Sequence, residues 1–121
     1  MAAELVEIRP GRRISVRTTA ATGVSDSKKR VLAIHGSCAS SEQYADLTLL
    51  LALAGHSVTT FDFLGCGASA TPDSWDAYHT RELLLDSEAV LLKFSAGMRQ
   101  GMVLVGHSYG SNLAIQLQLK H

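Results

Sequence analysis

The feature that most constrains this chain is a serine set between an apolar, strand-like run and a helix-like stretch. Ser108 is the centre of a Gly-His-Ser-Tyr-Gly pentapeptide at positions 106–110, which follows Met102–Val105 and precedes Ser111–Lys120. A G-x-S-x-G turn between a strand and a helix, termed here the elbow, holds its serine exposed above a sheet. The glycines suit it because the strand and helix backbones pass close to each other there. The pattern therefore predicts that Ser108 is a candidate nucleophile.

The rest of the chain alternates short apolar runs with stretches of helical periodicity. Pro10-Gly11 separates the first two runs and predicts an antiparallel hairpin. The predicted strands are Leu5–Ile8, Ile14–Thr18, Val31–Ile34, Ser57–Phe63 and Met102–Val105. Two strands followed by strands that alternate with helices indicate an α/β domain with a mainly parallel sheet.

Two helices, each with one apolar face, are predicted before the elbow. The first follows Ser40, whose spacing to Gln43 is that of a capping box, and it ends at Gly55. The second covers Thr80–Phe94, and Gly97 closes it. The side chains predicted to face inward are Tyr44, Leu47, Leu50, Leu51 and Ala54 in the first helix, and Leu83, Leu84, Val90, Leu91 and Phe94 in the second.

Composition narrows the possible partners. Lys and Arg together number 11, as do Asp and Glu, so the balanced charge favours neither nucleic acid nor an anionic membrane. The early Glu4 and the lack of a sustained apolar core argue against a secretory signal, and the apolar run around Leu49–Ala54 is too short for a membrane span. Cys38 and Cys66 have no C-x-x-C pairing, which predicts free thiols and a cytoplasmic location.

Three motifs in this order resemble the α/β-hydrolase superfamily. They are His-Gly-Ser-Cys-Ala-Ser at 35–40, Phe-Asp-Phe-Leu-Gly-Cys-Gly-Ala-Ser at 61–69, and the elbow. The match runs from about Ile14 to the end, and it is most similar to abhydrolase-domain proteins related to monoacylglycerol lipases and esterases. The resemblance implies a partial α/β-hydrolase fold: about five strands of an eight-stranded sheet, helices on both faces, and Met102–Val105 beside Val31–Ile34. It also implies a serine hydrolase that acts on an ester, lipid ester or similar acyl substrate through an acyl-enzyme.

The resemblance also implies site residues, position by position. Ser108 becomes the nucleophile, and Gly106 and Gly110 become the elbow glycines. The backbone N–H groups of Tyr109 and Ser37 become the oxyanion hole, since two preformed donors stabilise a developing oxyanion without reorganisation. No metal and no cofactor are implied. Ser108 argues against epoxide hydrolases and haloalkane dehalogenases, which carry an aspartate nucleophile in this fold.

The triad acid and histidine of such enzymes follow the serine in the chain. Only eleven residues follow Gly110; none is Asp or Glu, and His121 is the one histidine among them. We therefore expect residues 1–121 to be the N-terminal portion of a single hydrolase domain, inactive by itself. A non-catalytic truncated isoform or binding scaffold is the alternative, and an acyltransferase or a peptidase also remains open.

Other polar residues near the motifs have structural interpretations. His35 and His107 flank the predicted oxyanion hole, but a triad base must contact the serine oxygen and be oriented by a carboxylate. Asp62 is expected to order its loop rather than to act as the triad acid. Cys38 and Cys66 follow adjacent strands and are expected to face the pocket mouth; a zinc site with His35 is less favoured, because a lone His-x-x-Cys pair is a weak ligand set.

Overall fold

A computed structural model describes residues 3–23, 28–95 and 102–121. The strands are β1 (Glu4–Arg9), β2 (Arg12–Thr19), β3 (Arg30–Ile34), β4 (Ser57–Phe61) and β5 (Val103–Gly106). The α-helices are α1 (Ala45–Leu53), α2 (Thr80–Phe94) and α3 (Tyr109–Lys120), with 3₁₀ turns at Ser41–Tyr44 and Trp75–Tyr78. No helix within these ranges is both long and apolar enough to cross a membrane.

The five strands form one mixed sheet in the order β1-β2-β4-β3-β5. The predicted hairpin is confirmed, because β1 and β2 pair antiparallel around Gly11, whose φ is +74°. The predicted neighbours β3 and β5 pair in parallel, with Ile34 opposite Gly106, and β4 lies on the other side of β3 with Phe61 opposite Ile34. The carboxyl ends of these three strands therefore meet at one edge of the sheet, where the three sequence motifs begin.

The sheet is covered by helices on both faces. Alternate residues of a strand point to opposite faces, and Leu32 and Ile34 join the main core cluster with residues of α2 and α3 such as Val90 and Leu113. Val31 and Ala33 are buried on the other face, where α1 and the first 3₁₀ turn pack against β3 and β4. The predicted α/β fold class is confirmed.

The structure agrees with the predictions for one of the two helices better than for the other. Helix α2 has the predicted bounds, and Val90 and Leu91 are buried as expected; the predicted end at Gly97 lies outside the described residues. The predicted inward face of the first helix is confirmed at Tyr44, which is buried, but it is wrong within α1, where Leu50 is 64% exposed and Ala52 is buried. Leucines occupy five of the nine positions of α1, so its periodicity defines no single apolar face, and close packing on β4 turns the small Ala52 inward.

A cluster of four charged residues, the hairpin ion-pair cluster, joins the β1–β2 hairpin to α2. Asp86 of α2 is only 2% exposed and accepts two hydrogen bonds of 2.7 Å from Nε and Nη2 of Arg12. Arg9 Nη1 donates to the same carboxylate at 2.9 Å, and Arg9 Nη2 pairs with Glu82 at 2.9 Å. A buried carboxylate is tolerated when charged donors surround it, so this cluster fixes the hairpin against α2.

Candidate functional site

Ser108 lies at the turn where β5 ends and α3 begins. Its φ of 55° and ψ of −119° are rarely adopted by a residue with a side chain. Among the described non-glycine residues, only Cys38, with a φ of 57°, shares a positive φ. Such a conformation costs about 1–3 kcal/mol and is maintained only where the surrounding structure imposes it. Here it leaves Ser108 exposed at the N-terminus of α3.

The two elbow glycines occupy positions where no side chain fits. A Cβ on Gly106 would lie 2.6 Å from both the Gly110 carbonyl oxygen and Ser111 Cα. A Cβ on Gly110 would collide with the carbonyl oxygens of Ile34 and His35 at the end of β3. The missing side chains therefore allow α3 to approach β3 closely enough to hold the elbow in shape.

The loop that follows β3, residues 35–40, lies directly against the elbow. A Cβ on Gly36 would be 3.2 Å from the His107 carbonyl oxygen and 3.3 Å from Ser108 Cβ. Ser37 comes next in this loop and is exposed, while Tyr109 is the first residue of α3, where a backbone N–H has no partner within the helix. The structure thus brings Ser37 and Tyr109 to the same sheet edge as Ser108.

The side chain of Gln43 bridges these two loops, and the local sequence around Gln43 does not predict this contact. Gly36 N donates to Gln43 Oε1 at 3.0 Å, and Gln43 Nε2 lies 2.8 Å from His107 Nδ1. The predicted capping box is only half formed: Ser40 Oγ accepts from Glu42 N at 3.3 Å, but the side chain of Gln43 turns toward Gly36 and His107. Only the tertiary neighbours of Gln43 reveal this role.

His35 is fully buried and both of its ring nitrogens have backbone partners. Its Nε2 accepts from Phe63 N at 3.0 Å, which leaves Nδ1 to donate to the Gly36 carbonyl oxygen at 2.7 Å. Burial lowers the pKa of His35, although the bond to Gly36 and the charge of Asp62 oppose that shift. His35 is therefore a neutral residue that fixes the loop, with no free nitrogen for a proton transfer.

Asp62 is 4% exposed and orders two loops through backbone N–H groups. Its Oδ1 accepts from Ser41 N at 2.7 Å, and its Oδ2 accepts from Ala68 N at 3.0 Å. Gly67 has a φ of +50°, and a Cβ there would collide with the Asp62 carboxylate. Both carboxylate oxygens thus hold loops at the sheet edge, in agreement with the loop-ordering interpretation.

A cavity of about 560 Å³ opens beside Ser37 and Tyr109. Its walls are mostly apolar, with Phe63, Leu64 and Leu83 among them, and no charged side chain lines it within the described residues. Cys38 and Cys66 both line this cavity as free thiols, as the sequence predicted. Burial raises the pKa of the Cys66 thiol, and nearby Cys38 and Asp62 add to that effect. In the described ranges, no three His, Cys, Asp or Glu side chains gather as a metal site would require.

The histidines on either side of Ser108 in the chain have other partners. His107 is exposed and contacts Gln43 through Nδ1. His121 follows the last residue of α3, about 18 Å from its first turn given a rise of 1.5 Å per residue, and its Nε2 contacts Glu88 at 2.8 Å. Neither histidine stands in the arrangement of a triad base.

Comparisons with known proteins agree with this architecture. A model described as the alpha/beta hydrolase family matches residues 31–121. A proline iminopeptidase of Clostridium botulinum is 32% identical over 90 residues, which are 74% of this chain and 30% of that protein. A proline iminopeptidase of Lactobacillus helveticus is 33% identical over 94 residues, or 77% of this chain and 31% of that protein. The chain thus spans about a third of the length of these curated relatives.

Solved structures show the same fold. The epoxide hydrolase VrEH1 from Vigna radiata superimposes with a TM-score of 0.80 at 23% identity, over 97% of this chain and 35% of that chain. A thioesterase domain from the curacin biosynthetic pathway gives a TM-score of 0.82 at 26% identity, over 97% of this chain and 38% of that chain.

Proposed function

The chain belongs to the alpha/beta hydrolase family, and from this premise we propose that it carries the nucleophile and oxyanion hole of a serine hydrolase. The observation that carries the proposal is the backbone of Ser108, which is strained, exposed and placed at the start of α3. Strained non-glycine residues are concentrated at active sites and ligand-binding sites, which supports a functional role for Ser108. A serine oxygen at a helix N-terminus is suited to attack a carbonyl carbon, because the helix dipole stabilises the resulting oxyanion.

The chemistry proposed is acyl transfer in two steps. Ser108 Oγ bonds to the carbonyl carbon of the substrate while a general base removes its proton, and the carbonyl oxygen becomes an oxyanion. The N–H groups of Ser37 and Tyr109 would donate to that oxyanion. Collapse breaks the bond to the leaving group, which takes up the proton, and leaves an acyl-enzyme that water then hydrolyses to the acid and free Ser108.

The base and its orienting acid belong, in this proposal, to the remainder of a longer domain. Residues 1–121 would then be the N-terminal portion of a single hydrolase domain. Two observations support this division: the curated relatives are about three times as long as the match, and His107 and His121 have other partners. The free thiols of Cys38 and Cys66 support a cytoplasmic location.

The substrate class proposed is a neutral ester, including a lipid ester. The supporting observation is the cavity beside Ser37 and Tyr109, whose described walls are apolar and carry no charge. A peptidase that removes an N-terminal residue is the second candidate, supported by identities of 32% and 33% to proline iminopeptidases. The ester is preferred because the described cavity walls, which include Phe63, Leu64 and Leu83, are apolar and suit a neutral substrate.

Labelling with a fluorophosphonate probe tests the proposal. The experiment uses the longest natural protein that contains this sequence, termed here the parent protein. We expect labelling at Ser108 and hydrolysis of a neutral aryl ester, both abolished by Ser108→Ala, while Ser74→Ala, at an exposed serine outside the elbow, labels normally. Loss of turnover on the order of 10⁶ is typical when a serine nucleophile is removed.

The isolated 121-residue chain is the negative control for this experiment, because a serine hydroxyl without its base is a weak nucleophile. We expect no labelling of that chain above background. A folded parent protein that binds ester ligands yet stays unlabelled at Ser108 would contradict the catalytic proposal and favour a binding scaffold. Hydrolysis of proline amides in preference to neutral esters would instead favour the peptidase.

A further inference from the structure

The side chain of Gln43 bridges the two loops that hold the proposed oxyanion donors. Its Oε1 lies 3.0 Å from Gly36 N, and its Nε2 lies 2.8 Å from His107 Nδ1. A backbone N–H can only donate, so the oxygen of the amide must be the atom that faces Gly36, and the amide nitrogen must donate to His107. This bridge leaves Nδ1 of His107 without a proton and places the proton of the neutral ring on Nε2.

The turn that carries Gln43 is anchored on both sides of that residue. Ser41 N donates to Asp62 Oδ1 at 2.7 Å, which ties the turn to the end of β4. The buried Tyr44 donates its hydroxyl to the Ile34 carbonyl oxygen at 2.7 Å, which ties the turn to the end of β3. Gln43 therefore reaches from a fixed point of the sheet edge to both loops.

The two partners of Gln43 immediately precede the proposed functional residues. Gly36 comes before Ser37, and His107 comes before Ser108 and then Tyr109. We propose that Gln43 is a positioning residue, which holds Gly36 and His107 at a fixed separation and so aligns the N–H of Ser37 with that of Tyr109. The inference rests on the proposed function of Ser108.

Because Gln43 is exposed, removing its side chain should affect the alignment of the two N–H donors more than the stability of the folded protein. Gln43 is an exposed residue and its contact with His107 is exposed, so we expect water to replace much of this hydrogen bonding when the side chain is removed, at a small cost in stability. Alignment is more sensitive, because the loops touch at Gly36, where a Cβ would be 3.2 Å from the His107 carbonyl oxygen. A small rotation of either backbone changes the direction of an N–H donor.

The test is Gln43→Ala in the parent protein. We expect the rate constant for fluorophosphonate labelling of Ser108, and kcat for an ester, to fall about 10- to 100-fold, because a donor misplaced by a fraction of an ångström stabilises the oxyanion poorly. KM should change little, since the oxyanion forms only in the transition state. Glu42→Ala, at another exposed residue of the same turn, should leave both rates unchanged.

Gln43→Met keeps the length of the side chain without its polar atoms, and we expect the same fall. It also serves if Gln43→Ala fails to fold. Combining Gln43→Ala with His107→Ala should give no further loss, because both substitutions cut the same bridge. As a readout independent of turnover, the imidazole ¹⁵N shifts of His107 should report the Nε2–H tautomer in the unsubstituted protein and a mixture in Gln43→Ala.

The outcomes separate the two proposals. If the parent protein labels at Ser108 and both Gln43 variants label at the same rate, the positioning role is wrong and the proposed function stands. If the variants lower the melting temperature and the labelled fraction, but not the rate per folded molecule, the role is structural and the inference is overturned. If the unsubstituted parent protein does not label although His107 has the expected tautomer, the proposed function fails, and the inference fails with it.

Discussion

The carboxylates of two buried aspartates in this protein accept hydrogen bonds from two different kinds of donor. Asp62, 4% exposed, accepts hydrogen bonds from the backbone N–H groups of Ser41 and Ala68 at the sheet edge that carries Ser108. Asp86, 2% exposed, is surrounded by the guanidinium groups of Arg9 and Arg12 at the hairpin. Backbone donors fix the path of a loop, whereas charged side chains join elements that are distant in the chain. The first arrangement shapes a site, and the second holds the domain together.

The largest effect is expected at the hairpin ion-pair cluster. Asp86→Ala would leave the partly buried guanidinium group of Arg12 without its carboxylate and would leave Arg9 with Glu82 alone, and breaking a buried ion pair in this way costs about 3–5 kcal/mol. We expect that loss in the free energy of unfolding measured with urea, while folded molecules of the parent protein label at Ser108 at the usual rate. Asp76→Ala at an exposed acid is the control. A loss below about 1 kcal/mol would remove the distinction between the two aspartates.

Asp62→Asn is expected to reduce stability less than Asp86→Ala does, and also to slow the labelling of Ser108. The amide keeps one acceptor oxygen but presents an NH₂ group to the second backbone N–H, and an unsatisfied buried donor costs about 1–3 kcal/mol. Because the turn that carries Gln43 is tied to Asp62, labelling of Ser108 in the parent protein should also slow. Asp76→Asn should alter neither property. An Asp62→Asn protein that labels at the full rate would show that the loops keep their shape without the carboxylate.

The smallest effect is expected from acid. Burial lowers the pKa of His35 below its ordinary value of 6.5. Just below pH 6.5, His35 is therefore protonated in the unfolded chain but still neutral in the folded protein. The contribution of neutral His35 to the free energy of unfolding is therefore complete above pH 6.5 and decreases as the pH drops below that value. The hydrogen bond from Arg9 lowers the pKa of Glu82 below 4.5, so the stabilisation from that carboxylate is present above pH 4.5 and is lost at lower pH.

The two regions should therefore respond to acid in separate pH ranges. His35→Asn should reduce the loss of stability between pH 6.5 and 5, measured as urea midpoints, because an asparagine amide can accept and donate without titrating. His79→Asn, at an exposed histidine, is the matched control. If His35→Asn and the unsubstituted protein lose stability equally over that range, the acid response does not come from His35.

Local signals in the sequence were sufficient for the elements and for part of the site. The bounds of α2 follow from the Thr80 start and a 3.6-residue apolar period, and the hairpin follows from Pro10-Gly11. The glycines at 106 and 110 marked a close approach of backbones, which is a requirement local to the turn. The role of Ser108 as nucleophile stays a prediction.

Long-range contacts account for what the sequence did not predict. The inward side of α1 depends on which leucines meet β4, and nothing local distinguishes Leu50 from Ala52 as the buried residue. Gln43 matched a capping box, but its partners lie on other elements. Asp86 has the local pattern of an exposed helix position, and only the fold places two arginines of the hairpin around it.

The parallel pairing of β5 with β3 also has a consequence for the order of folding. The β1–β2 hairpin closes locally, whereas Val31 must find Val103 far along the chain, and contacts across a long segment form later because loop closure is entropically costly. Elbow substitutions should then change the unfolding rate rather than the folding rate. Pulsed hydrogen exchange during refolding would show protection in the hairpin before β5. Ser108 would thus acquire its strained backbone in the last stages of folding, and incompletely folded chains would not present a reactive serine.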